Sequence, residues 1–227
     1  DAYYNRSQII EGGRANFTEA LHDGEGRVWS AEDRVLAYCY WNMRLHYHSS
    51  KYLFDKYLKG INVSHFIDVG CGPGTSSIAL MENKEMRPDI HLLDISQPMI
   101  EKAKEFLIAN LVFPSSYNQL DEIETSRITG VCVLNFSFLF ANVDDDFRLK
   151  LEELIMNLKN TTDQLIILNQ NSANNDLNLV WDEFKEFLVR NGFSVQGCSL
   201  ELNISYSNQF GVSPNRNSSL SYEVLSN

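Results

Sequence analysis

Hydrophobic and polar positions divide the chain into two regimes. From residue 61 onward, short apolar runs alternate with stretches of helical period. The runs predict strands near 64–69, 90–94, 130–135 and 164–169, and the stretches predict helices near 75–83, 97–109, 144–159 and 176–190. Strands alternating with helices imply a parallel sheet with crossover helices, an α/β fold. Asn191-Gly192 stops the last helix. Beyond it, 193–207 is strand-rich, 208–218 is a polar loop and 220–225 reads as a final strand. A third strand belongs somewhere in 110–128, where Leu111-Val112-Phe113-Pro114 competes with 116–120. Before residue 61 the pattern is helical. A short helix is expected around Asn16-Phe17-Thr18-Glu19, and Gly24 and Gly26 then break the chain. Ser30-Ala31-Glu32-Asp33 has the form of a capping box and starts a helix to about His48. Ser49 or Ser50 caps a second helix, which Gly60 ends. Residues 1–60 are therefore expected to form a helical cap or lid on a domain of 61–227.

Composition narrows the partners. The chain has 227 residues, 44% hydrophobic and 22% charged, in the range of a folded globule. No apolar run approaches the roughly 18 residues of a membrane span. No secretory signal is read, and the expected location is cytoplasmic. The formal net charge is −11. Residues 1–60 hold eight acids and eight Lys/Arg, so the whole excess lies in 61–227. An acidic surface repels a phosphate backbone, which disfavours indiscriminate nucleic-acid binding. Residues 34–60, with five Lys/Arg against one acid, leave a local RNA contact open. The four cysteines, Cys39, Cys71, Cys132 and Cys198, show no paired spacing, and no metal site is read. His46 and His48, two apart, point to different helix faces.

The chemistry concentrates in Phe66-Ile67-Asp68-Val69-Gly70-Cys71-Gly72-Pro73-Gly74-Thr75. An apolar run ends beyond an acid, three glycines alternate with other residues, and a helix follows. Glycines at such a turn accept positive φ and let a ligand approach bare main chain. The helix start offers unpaired N–H groups. About 20 residues on, Ile90-His91-Leu92-Leu93-Asp94 ends a second strand in an acid, where a carboxylate can accept from both ribose hydroxyls. The dinucleotide fingerprint is G-x-G-x-x-G, whereas here it is G-x-G-x-G with Thr75 after it. With Asp68 two residues ahead, the stretch resembles motif I of the class I S-adenosylmethionine (SAM)-dependent methyltransferases. Asp94-Ile95-Ser96-Gln97-Pro98-Met99-Ile100-Glu101-Lys102-Ala103 resembles that family's D-x-S-x-x-M-(I/L)-x-x-A segment.

The resemblance implies a Rossmann-like, doubly wound, seven-stranded, mostly parallel sheet whose antiparallel last strand lies between the fifth and sixth. It implies SAM as methyl donor, with S-adenosyl-L-homocysteine as product. The cofactor-binding residues it points to are Asp68, Gly70, Cys71, Gly72, Gly74, Thr75, Asp94, Ile95, Ser96 and Met99, with Asn135 at the end of the fourth strand. Tyr117, Asn118 and Gln119 are candidate adenine neighbours. Segments before motif I commonly cover the cofactor in this superfamily. On the helix from Ser30, Tyr40, Arg44, Tyr47 and His48 share one face. Arg44 is a candidate partner of the methionine carboxylate. Tyr40, Trp41, Tyr47 and Phe138 are candidate acceptor-site residues, and Asn135, Tyr40 and His48 are candidates for the chemistry. Asn135-Phe136-Ser137-Phe138 lacks both prolines of the N-P-P-(Y/F) motif of amino-group methyltransferases.

The leading expectation is methyl transfer to a small-molecule or otherwise unidentified acceptor. The alternatives are an RNA methyltransferase and a SAM-binding module that works through partner contacts without turnover. No membrane partner is expected, and the oligomeric state is not legible.

Overall fold

A computed structural model describes residues 17–22, 26, 28–83, 86–140, 143–173, 178–205 and 218–227, with the backbone of 10–11, 14–15, 206 and 216–217. Two antiparallel ribbons come first: β1 (Ile10–Glu11) with β2 (Arg14–Ala15), and β3 (Leu21–His22) with β4 (Val28–Trp29). Residues 17–19, the described part of the helix expected around 16–19, are not helical. Their carbonyls have tertiary partners instead: Phe17 O accepts from Ser96 Oγ at 2.8 Å and Glu19 O from Arg34 Nη1 at 3.1 Å.

The capping box of Ser30 and Asp33 starts α1 (Ala31–Trp41), each side chain bonding the other's backbone N–H at 3.1 Å. The single helix expected to His48 is interrupted at Asn42, whose φ of −109° departs from helical values. α2 (Met43–Tyr57) follows directly. Ser49 and Ser50 do not start a new helix. They are buried inside α2, where Ser49 Oγ bonds back to His46 O at 3.0 Å.

The remaining elements alternate: β5 (His65–Val69), α3 (Thr75–Met81), β6 (Asp89–Leu93), α4 (Gln97–Ile108), β7 (Ser115–Tyr117), β8 (Val131–Ser137), α5 (Asp145–Thr161), β9 (Gln164–Ser172), α6 (Leu179–Arg190), β10 (Ser194–Tyr206) and β11 (Arg216–Ser226). The third strand is thus Ser115–Tyr117. Seven of these strands form one sheet in the order β10-β11-β9-β8-β5-β6-β7. The pairs from β9 to β7 are parallel, and β11 runs antiparallel to both β9 and β10. The last strand therefore sits between the fifth and sixth of the sheet, as expected.

Period-two alternation assigns the sheet residues to two cores. Ile67, Leu134 and Ile167 face α5 and α6, where Leu151, Ile155, Trp181 and Phe184 are buried. Phe66, Leu92, Val133 and Leu168 face Leu53 and Phe54 of α2, Leu80 of α3, and Ile100 and Leu107 of α4. Helices cover both faces, so the carboxyl ends of the parallel strands are left to form a site.

Candidate functional site

The turn after β5 carries the first part of that site. Gly70 N and Cys71 N both donate to Leu93 O, at 2.8 and 3.0 Å, which ties the turn to β6. Gly70 and Gly74 have φ of +67° and +73°. A Cβ on Gly74 would lie 3.0 Å from Ala103 Cβ and 3.3 Å from its Cα, so this glycine lets α3 close onto α4. A Cβ on Gly70 would lie 2.9 Å from Leu139 Cδ1.

Asp94, at the end of β6, holds the turn from the other side. Its Oδ2 accepts from Gly72 N at 2.9 Å and its Oδ1 from Ser96 N at 2.8 Å. Burial raises its pKa, against the opposing effect of those two donors. Ser96 caps α4 and also fixes Phe17 O. Between these elements lies a cavity of about 420 Å³, lined by Gly70, Leu93, Asp94, Ile95 and Ser96 on one side. Phe17 and Thr18 of the N-terminal segment line another side, and Leu139, Val143, Asp144 and Phe147 complete it. The lining is largely apolar with two carboxylates, Asp94 and Asp144, and the Asp94 oxygens each keep lone-pair capacity for a further donor.

A buried polar network lies behind the turn. Asp68 and Asn135 are register partners across β5 and β8. Asn135 Nδ2 donates to Asp68 Oδ1 at 2.8 Å, and Ser77 Oγ to Asp68 Oδ2 at 2.9 Å. Ser137 Oγ joins Asn135, Ser76 and Gln170, and Ser50 Oγ of α2 joins Ser76 and Gln170. Burial pushes Asp68 up to about 7, even though Asn135 and Ser77 favour its ionised form. The network fastens the strand ends to α3 and α2.

Above the turn sits a pair that the sequence did not single out. Tyr38 Oη lies 2.6 Å from His46 Nδ1. The His46 ring stacks on Phe138, with centroids 3.8 Å apart and planes 14° apart. Phe138 holds a left-handed φ of +60°, and its N–H donates to Gln170 O at 2.8 Å. Tyr38 also meets Phe17 edge-on, with centroids 5.5 Å apart. Burial, with Cys39, Asp94, Asp68 and Cys71 nearby, raises the Tyr38 phenol well above its ordinary range.

Of the residues expected from sequence, the cavity brings together Gly70, Asp94, Ile95 and Ser96. Gly72 and Gly74 shape the turn beside it. Cys71 is buried with Sγ 3.4 Å from Gly72 O, and burial raises its thiol. Thr75 is buried in the first turn of α3, and Met99 is buried in α4. Asp68 and Asn135 lie behind the turn. Asn118 Nδ2 reaches Asp94 O at 3.2 Å, whereas the Tyr117 hydroxyl meets His91 Nδ1 at 3.3 Å. Gln119 starts the short 3₁₀ turn Leu120–Glu122.

The shared face of Tyr40, Arg44, Tyr47 and His48 is corrected by the break at Asn42, because Tyr40 sits on α1 and the other three on α2. Tyr40 meets Trp41 edge-on at 5.0 Å. Tyr47 is hydrogen-bonded to Glu82 at the far end of α3, and burial raises its phenol. His48 stands beside Arg44 and Glu82; burial first, then Arg44, lowers its pKa. None of these residues lines the cavity at the glycine turn. Among the described residues no group of three or more His, Cys, Asp or Glu is placed to hold a metal, and no helix is long and apolar enough to cross a membrane.

Residues 62–120 match the family model described as a methyltransferase domain. No curated protein sequence matches the chain. Among solved structures, it is similar to a putative RNA methyltransferase from Pyrococcus horikoshii, with TM-score 0.53, 13% identity and coverage of 82% of this chain and 86% of that one. It is also similar to a precorrin-6y C5,15-methyltransferase from Geobacter metallireducens, with TM-score 0.53, 11% identity and coverage of 78% and 86%. At such identities the likeness is one of fold. Sheet order, glycine turn and matched segment together are those of the class I SAM-dependent methyltransferase superfamily, with no subfamily singled out.

Proposed function

We propose that this protein transfers a methyl group from SAM to a small-molecule acceptor, releasing S-adenosyl-L-homocysteine. The observation that carries this reading is the Asp94 carboxylate, held by Gly72 N and Ser96 N at the wall of a largely apolar cavity. Its remaining lone pairs suit the two ribose hydroxyls, as charge-assisted bonds. Ile95, Leu139, Val143 and Phe147 offer apolar surface for the adenine. Gly70 brings the main chain of the turn to the cavity wall, where the methionine end would lie. Methyl transfer from a sulfonium is an in-line displacement, so holding donor and acceptor in line supplies much of the rate.

A small acceptor fits the surface better than RNA does. Three of the five basic residues in 34–60 are engaged within the protein. Arg34 is buried on Glu19 O, Lys51 pairs with Asp55 at 2.8 Å, and Lys56 donates to the Tyr222 hydroxyl at 2.8 Å. Calorimetry with SAM tests the binding half of the proposal. Incubation of the protein and methyl-labelled SAM with lysate fractions tests the transfer half. Label in a low-mass fraction supports the proposal, and label in RNA replaces it with the RNA reading. SAM binding without transfer to any fraction leaves a non-catalytic binding module.

A further inference from the structure

We propose that Tyr38 and His46 form a proton relay for the acceptor, with the Tyr38 hydroxyl facing the reacting atoms and His46 behind it. The inference rests on the methyltransferase reading above and names part of its chemistry. An O–H or N–H acceptor has to lose a proton as it is methylated, and a positioned base contributes typically 10²- to 10⁴-fold to such a step.

Three independent features converge on this pair. First, Tyr38 hangs directly over the glycine turn: a Cβ on Gly72 would lie 3.9 Å from its Cε1 and 4.0 Å from its Oη. Its ring also touches Phe17, which lines the cavity. The hydroxyl stands beside the cavity, between the glycine turn and Phe17, and the proposal puts the methionine end of the donor and the acceptor there. Second, its 2.6 Å bond to His46 Nδ1 gives the phenol proton a basic nitrogen to move to. Third, the imidazole is held in place by Phe138, which stacks on it from a left-handed backbone conformation. Such a conformation is strained in a bulky residue and collects at functional sites. The backbone bond from Phe138 N to Gln170 O maintains it.

In the step itself, the acceptor's lone pair forms the bond to the methyl carbon. The carbon–sulfur bond breaks, and its electron pair stays on sulfur. The acceptor's proton passes to Tyr38 Oη while the phenol's own proton moves to His46 Nδ1. The tyrosine ends neutral and the imidazolium later releases its proton to solvent. A phenol kept neutral by its buried setting, with Asp94, Asp68, Cys71 and Cys39 around it, suits a relay better than it suits a lasting phenolate. Tyr38 is the catalytic residue here, and His46 acts through it.

The test uses Tyr38→Phe and His46→Asn in the full chain. SAM binding is measured by calorimetry, label transfer to the responsive lysate fraction across pH, and the His46 ring-nitrogen resonances by NMR. The expected result is SAM affinity within about threefold of wild type, with transfer slowed about 100-fold, the low end for loss of a positioned base. The acid limb of the pH–rate profile is expected to vanish in His46→Asn, and the Nδ1 resonance of His46 to shift in Tyr38→Phe. Wild-type transfer rates in both variants would overturn the relay alone. So would slowed transfer with an unchanged pH profile, or affinity lost in step with rate. Failure of the wild-type protein to bind SAM, or to transfer label at all, would overturn the methyltransferase reading and the relay with it.

Discussion

Replacing Asp94 by Asn probes the site with one atom changed. The carboxylate accepts from Gly72 N at 2.9 Å and from Ser96 N at 2.8 Å. An amide offers one acceptor oxygen and two donors. One of the two backbone N–H groups therefore loses its partner and faces another donor, at a cost of about 1–3 kcal/mol in stability. The ribose loses a charged acceptor at the same time. A hydrogen bond to a charged group contributes about 1.5–3 kcal/mol, which at 1.4 kcal/mol per decade is roughly a 10- to 140-fold rise in Kd. Isothermal titration with S-adenosyl-L-homocysteine reads the affinity, and a thermal melt of the same sample separates loss of binding from loss of fold. A folded variant with affinity within threefold of wild type refutes the ribose role of Asp94.

Gly74→Ala is expected to destabilise more than Gly72→Ala. Both positions have positive φ, a strain of about 1–2 kcal/mol for an L-residue. Only at Gly74 does the new Cβ meet another helix, at 3.0 Å, whereas at Gly72 the nearest atom is 3.9 Å away. Denaturant melts of the two variants check the order, and equal losses contradict it. Asp68, pushed up to about 7, predicts a pH effect. The unfolded side chain ionises near pH 4, so from about 4 to 7 the folded protein holds a proton that the unfolded chain has lost. Stability from this group falls as pH rises through that window and levels off above it. Asp68→Asn therefore gains on wild type across the window, by about 4 kcal/mol at most, and a pH-independent difference between the two refutes the shift. Gly197→Ala places a Cβ against the Tyr57 hydroxyl and the end of its ring, so Tyr57 has to swing away from its bond to the Tyr222 hydroxyl. Overpacking of this kind costs about 1–3 kcal/mol, visible as a lowered Tm, and an unchanged Tm counts against the contact.

The segments that build the glycine turn were legible because each carries several agreeing signals. β5 is an apolar run, the turn is marked by glycines, and α4 has Ser96 and Pro98 at its start. The β11 insertion followed from the resemblance to the superfamily, since no local pattern states which neighbour a strand takes. β7 was ambiguous because Ser115–Tyr117 is three residues long and largely polar, with no alternation to read. The ribbons before α1 are two residues per strand, too short for any period. The sequence does not pair Tyr38 with His46, because its pattern reads as a single continuous helix. On such a helix they are eight apart, one lone aromatic and one lone histidine. Their contact joins α1 to α2 across Asn42, and Phe138, from another part of the chain, completes it.

The interruption at Asn42 gives the N-terminal helical segment an elbow. The forearm, α2, is bolted to the sheet through Lys56 and Tyr57 on Tyr222 and Ser50 on Gln170, and to α3 through Ser50 on Ser76. The upper arm, α1, carries Tyr38 and grips the strap at Phe17 and Glu19 through Arg34. Under the proposed function, a donor entering beneath Phe17 would have to break the grip of Arg34 and the packing of α1 on α4 while α2 stays in place. Stiffening the joint would then slow the traffic of donor and spent product without loosening the grip on either.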